Sequence, residues 1–240
     1  MEREHLVKAF DEELRTVTDR VVEMGARVER LFDAAVDALV DGDINRASNL
    51  VIEDAQIDAL DAEVEEAAIH VIARRQPVAA DLREIFSAVR IAADLERVGD
   101  LSKNIAKRAV LLGHDRPKPG TTTVLEDMAV FAKKQLHDVI DAYINGDSVK
   151  AEAVLNGDVE LDTYYSACFR QLITYMMEDT RSITSCAHLL HVAKSVERVG
   201  DHATNIAEYV LFRVKGEIPR GRPKGADLED VLARDLGKGA

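Results

Sequence analysis

Two stretches of this chain are copies of each other. Leu95 to Ala106 reads LERVGDLSKNIA and Val196 to Ala207 reads VERVGDHATNIA, with eight of 12 positions identical at an offset of 101. The turns Asp41-Gly42-Asp43 and Asn145-Gly146-Asp147 match at an offset of 104, as do Asp54 and Asp58 with Asp158 and Asp162. The three-residue difference fits a short deletion between the second and third helix of the later copy. A duplicated pattern of apolar and turn residues must find the same fold twice, so whatever one half builds, the other builds beside it.

Within each copy the apolar residues follow the helical period. Leu82, Ile85, Phe86, Val89, Ala92 and Ala93 lie on one stripe, and similar spacing covers most of the first 215 residues. The spacing predicts six long helices near 6–41, 44–75, 78–113, 121–145, 148–178 and 181–215. Gly42 and Gly146 can each end a helix, and Asp43 and Asp147 can each cap the next. Pro77 suits a first helical turn, and Thr123 with Glu126 reads as a capping box. The run from Gly113 to Gly120, with Pro117 and Pro119, is the clearest linker. With only 5 Pro and 13 Gly, the chain is poor in the turn residues of an all-β protein. The expected fold is all-α: two tandem three-helix bundles, residues 1–115 and 120–216, then a flexible tail over 217–240.

Charge and cysteine usage remove several functions. The 240 residues carry 31 Lys+Arg against 44 Asp+Glu, a net charge of −13, which repels nucleic-acid phosphates. No nucleic acid is therefore expected as a partner. Cys168 and Cys186 cannot build a disulfide framework or a thiolate metal cluster, and a reducing compartment is expected. The charged N-terminus and the lack of a long apolar run predict a cytoplasmic protein that meets membranes only through partners.

The acidic residues carry the remaining signal. Carboxylates four residues apart share one helix face. With 44 acids in the chain such pairs arise by chance, so placement decides. Asp54/Asp58 recurs as Asp158/Asp162, and Glu96/Asp100 recurs as Glu197/Asp201. The stripe Leu82, Phe86, Val89, Ala93 continues through Glu96 and Asp100 to Asn104, which predicts that these acids follow a core-facing line. Gly99 and Gly200 sit inside the two later pairs and permit close approach of a helix or an ion. Two readings stand side by side. In one, Arg97, Arg198, Arg83 or Arg90 neutralises the acids in an ion-pair network. In the other, the eight acids hold metal, and all-oxygen ligands point to Mg²⁺, Mn²⁺, Ca²⁺ or iron rather than zinc. Asn104, Asn205 and His202 are then candidates to support a bound ion. The Glu-x-x-His motif of di-iron oxidases is absent.

Other residues have plainer readings. His188 and His191 read as helix-face residues, and Ser166 lacks the setting of a nucleophile. Met176, Met177, Tyr164, Tyr165 and Tyr175 read as core or interface material. Glu29, Asp33, Asp37 and Asp41 form an acidic ridge expected to face solvent.

Over about residues 5–216 the sequence resembles the PhoU family of phosphate transport and signalling regulators. The resemblance rests on Glu96-Arg97-Val98-Gly99-Asp100 and on Glu197-Arg198-Val199-Gly200-Asp201-His202-Ala203-Thr204-Asn205-Ile206, with Ile57-Asp58 and Arg74 to Arg83 in support. It implies two three-helix bundles, often dimeric, whose acidic motifs bind metal clusters. It also implies an adaptor without catalysis. The implied partners are the ATP-binding subunit of the phosphate ABC transporter and a phosphate-sensing histidine kinase, and the implied effect is repression of the phosphate-starvation response. The second copy departs from the pattern, with Arg181-Ser182-Ile183-Thr184 where the first has Pro and Asp-Leu-Arg. A carboxylate-bridged metal oxidoreductase is the alternative, disfavoured by the missing His ligands.

Overall fold

The computed structural model describes residues 2–113 and 120–217. Most of the expected linker and nearly all of the tail lie outside the described residues. The described elements are α1 (Glu2–Asp41), α2 (Ile44–Glu53), α3 (Ala55–Arg75), α4 (Ala79–Leu112), α5 (Thr123–Asn145), α6 (Ser148–Glu178) and α7 (Ile183–Lys215). One 3-10 turn, Thr180–Ser182, precedes α7, and no strand occurs among the described residues.

The ends of the helices follow local chemistry. Gly42 and Gly146 adopt φ of 66° and 63°, the left-handed region that a residue without a Cβ enters freely. Asp43 then accepts the Arg46 N–H at 2.9 Å, and Asp147 accepts those of Val149 and Lys150 at 3.0 Å. Two expected starts shift. Pro77 lies ahead of its helix rather than in the first turn, because α3 ends at Arg75 with Gln76 as its left-handed cap and α4 begins at Ala79. At α5 the cap position belongs to Thr122, whose hydroxyl donates to the Glu126 carboxylate at 2.6 Å. The predicted helix 44–75 is interrupted at Asp54, a residue only 2% exposed, which gives α2 and α3 in place of one rod.

Helices α1 to α4 pack as one unit and α5 to α7 as the other. α4 lies along α7 and α1 along α5, so both units share one continuous apolar core. Phe32, Met24, Ile91, Leu95, Leu136, Tyr143 and Leu172 are among its largest fully buried side chains. Removing each such side chain from water is worth about 1.5–3 kcal/mol. At the crossing of α1 and α5, Gly25 allows close approach, since a Cβ there would lie 3.2 Å from Ile140.

The expected core-facing stripe of α4 is corrected by this packing. Its buried face runs through Ile85, Ala88, Ala92, Leu95, Gly99, Ser102 and Ile105, whereas Leu82 and Phe86 are 43% and 47% exposed. Both faces of α4 are apolar near its start, and the neighbouring α1 and α7 select which one is covered. The acidic ridge of α1 is corrected in part. Asp37 and Asp41 are exposed as expected, but Glu29 meets His137 at 3.0 Å and Asp33 meets Lys133 at 2.6 Å, so the first half of the ridge borders the seam with α5.

Candidate functional site

Each repeat carries one acidic seam, where its last helix meets the middle one. In the first, α4 presents Glu96 and Asp100 one turn apart with Gly99 between them. A Cβ on Gly99 would lie 3.1 Å from Ile57 Cδ1 and 3.2 Å from Asp54 Oδ1, so the glycine lets the α2–α3 junction settle onto α4. That approach buries Asp54, and burying a carboxylate demands a compensating charge. Lys103 provides it. Its ammonium donates to Asp54 Oδ2 at 2.5 Å and to Asp100 Oδ1 at 2.7 Å. Those two hydrogen bonds hold the Lys103 amine above its ordinary range. Asp54 Oδ1 has no hydrogen-bond partner among the described residues.

Arg97 adds a second cation, 3.4 Å from Glu96 and 3.9 Å from Asp100. Burial pushes the Glu96 carboxyl up, and Asp100, Asp58 and Asp61 push the same way against Arg97. Asp61 is raised too, first by burial and then by Glu65 and Asp58. The first seam thus gathers Asp54, Asp58, Asp61, Glu96 and Asp100 around Lys103 and Arg97. Sequence reasoning named Arg97 among the neutralising residues but missed Lys103 and Asp61. The signal for Lys103 was present: it follows Asp100 by three residues, a spacing that makes neighbours on a helix.

The second seam is built differently from the same plan. Gly200 replaces Gly99, and a Cβ there would fall 2.1 Å from Leu161 Cδ2 and 3.2 Å from Gln135 Oε1. Glu197 Oε1 accepts from Lys194 at 2.6 Å, while Glu197 Oε2 is buried without a hydrogen-bond partner among the described residues. Burial pushes the Glu197 carboxyl up, Asp201 and Asp162 add to the rise, and Lys194 opposes it. Asp158 and Asp162 are half-buried on α6. At the position matching Lys103 stands Thr204, whose hydroxyl donates to the Asp201 carbonyl at 2.7 Å. Arg198, the counterpart of Arg97, is exposed and makes no ion pair among the described residues. Beneath this seam Gln135 is 4% exposed, and neither of its amide atoms has a partner among the described residues.

The supporting residues go elsewhere. His202 Nδ1 lies 2.8 Å from Asp94 Oδ1, and Asn205 donates to the same oxygen at 3.0 Å. Both therefore join α7 to α4 across the two repeats. Asn104 is exposed. Of the remaining arginines, Arg90 donates to the Tyr209 hydroxyl and Arg83 lies beside Gly216, so neither serves the acids.

Among the described residues no three His, Cys, Asp or Glu side chains are placed to hold a metal ion as they stand. In the second seam an oxygen-only donor set and the orphaned Glu197 Oε2 suit a hard cation. In the first seam an ammonium already stands between the acids. No described helix is long and apolar enough to cross a membrane.

Residues 21–109 and 125–210 each match the PhoU domain. The phosphate-specific transport system accessory protein PhoU homolog of Rhizobium meliloti (strain 1021) is 46% identical over 232 residues, 97% of this chain and 98% of its own. The homolog of the same description from Caulobacter vibrioides (strain NA1000 / CB15N) is 44% identical over 222 residues, covering 92% of this chain and 96% of its own. The crystal structure of PhoU from Pseudomonas aeruginosa aligns with a TM-score of 0.83 at 36% identity, over 87% of this chain and all (100%) of that one. The phosphate transport system regulatory protein PhoU from Streptococcus pneumoniae aligns at 0.81 with 26% identity, over 88% of this chain and 100% of that one. With both repeats matched and the likeness running nearly end to end, the chain belongs to the PhoU family.

Proposed function

We propose that this chain is a regulatory accessory protein of phosphate transport, working in the cytoplasm as a homodimer. In this reading it links the ATP-binding subunit of the phosphate ABC transporter to a phosphate-sensing histidine kinase, and holds the phosphate-starvation response off while phosphate is plentiful. The supporting observation is the near full-length likeness to relatives named as accessory proteins of the phosphate-specific transport system. A carboxylate-bridged oxidoreductase is not favoured, since those relatives are named for transport.

Asp158, Asp162, Glu197 and Asp201 are the proposed holders of a divalent or trivalent ion such as Mn, Mg or iron. Bound there, the ion supplies positive charge to carboxylates that burial and mutual repulsion disfavour. The chain's own part is to set Glu197 into the seam beside Gly200 and to keep Asp162 and Asp201 within electrostatic reach of it.

Deletion of the gene tests the role. The starvation response is expected to stay active in high phosphate, with unregulated uptake, and normal repression with normal uptake would overturn the regulatory reading. The purified chain is expected to bind the ATPase subunit or the kinase's cytoplasmic region. That contact should weaken with added salt, because exposed charges are screened beyond about 8–10 Å at 0.1–0.15 M ionic strength. Failure to bind either partner at low salt would remove the bridging mechanism.

A further inference from the structure

We infer that the two acidic seams are not equivalent, and that Lys103 is the built-in cation of the first, so that seam does not take a metal ion. The inference deepens the metal reading of the second seam and rests on that reading only for where an ion is left to bind.

Asp54 is 2% exposed, and burying a carboxylate so deeply is costly unless a cation or hydrogen bonds compensate it. Lys103 donates to it at 2.5 Å and bridges to Asp100 at 2.7 Å. It therefore joins the α2–α3 junction to α4, spanning the two acids that an ion shared between these helices would have to span. A metal ion entering between Asp54 and Asp100 would have to displace this ammonium, because two cations held in the same gap repel each other strongly. The displaced Lys103 would also lose both charged partners on the way out. Arg97 further neutralises Glu96 and Asp100 from the solvent side.

The second repeat supplies the internal control. Thr204 occupies the place of Lys103 and brings no charge. Lys194 is present, but it pairs with Glu197 from within its own helix and is 52% exposed. Glu197 Oε2 stays buried without a partner. Each seam thus keeps one buried carboxylate oxygen without a hydrogen-bond partner among the described residues, Asp54 Oδ1 and Glu197 Oε2; the seams differ in that Lys103 bridges two helices whereas Lys194 pairs only within α7.

Mn²⁺ binding counted by electron paramagnetic resonance on the full-length chain tests this. Lys103→Thr, which installs the residue of the second repeat, is expected to bind one more Mn²⁺ per chain than the wild type. Asp54→Asn in the Lys103→Thr background should abolish that extra ion. In chelator the Lys103→Thr chain should melt about 5–10 °C below the wild type, since Asp54 has lost its partner, and Mn²⁺ should recover the loss. Lys103→Gln is a second variant without the charge and should show the same gain. An unchanged Mn²⁺ count in both variants would overturn the inference, as would a wild-type ion lost on Asp54→Asn alone. Glu197→Gln with Asp201→Asn in the wild type reports separately on the second seam. If the wild type binds no Mn²⁺ while Lys103→Thr binds one, the inference stands and the metal reading of the second seam falls.

Discussion

A Cβ on Gly200 would lie 2.1 Å from Cδ2 of Leu161, and Leu161 is itself only 1% exposed. The two helices α6 and α7 therefore meet through a missing side chain. Gly200→Ala should gain about 1 kcal/mol of helix propensity but force Leu161 off its position in a filled core. Such overpacking costs about 1–3 kcal/mol. A net loss of about 1 kcal/mol is expected in urea denaturation. Gly99→Ala should lose less, since its nearest contact would be 3.1 Å. Equal or raised midpoints for Gly200→Ala would show that Leu161 moves aside freely.

Gln135→Leu should stabilise the protein. In the first repeat the same position, at the offset of 104, holds Leu31, and both residues are 4% exposed. An amide buried without partners carries a desolvation cost of about 1–3 kcal/mol. Replacing it with leucine removes that cost while keeping apolar volume against Phe131 and Leu161. A rise of about 1 kcal/mol in unfolding free energy is expected. A fall would mean that the amide is hydrogen-bonded in solution.

Asp94 joins the two repeats through His202 and Asn205. A carboxylate only accepts hydrogen bonds, so His202 carries its proton on Nδ1. Asp94→Ala strands both donors in a half-buried seam and should cost about 2 kcal/mol. In a double-mutant cycle with His202→Ala the two losses should be strongly non-additive. Additive losses would show that the pair is formed without coupling energy.

The pairing of Glu13 with Arg75 predicts a pH dependence at the far end of α1. Arg75 donates to both Glu13 oxygens, at 2.8 and 2.9 Å, and this hydrogen bonding holds the Glu13 carboxyl below its ordinary value of 4.5. A carboxyl lowered in the folded state contributes stability above its unfolded value, and that contribution is lost as pH falls through the folded one. The wild type should therefore exceed Glu13→Gln by a small constant margin at pH 6–7, shrinking below about pH 4.5. A margin independent of pH down to 3 would exclude the pair as its source.

The sequence alone determined the duplication, the helical class and most helix ends, because these depend on residues close together in the chain. Gly42 with Asp43 and Gly146 with Asp147 are read locally and behave locally. It also placed the four acid pairs in register, since an offset between copies needs no knowledge of packing. Tertiary structure decided the rest. Which face of α4 is buried depends on α1 and α7, so the stripe through Leu82 and Phe86 was legible as apolar but not as half-exposed. The break at Asp54 falls where that residue meets Lys103, 49 residues away. The asymmetry of the seams follows from one position, Lys103 against Thr204. Its meaning becomes visible only when α2 and α3 are laid against α4, because a carboxylate's need for a cation is set by burial, and burial belongs to the fold.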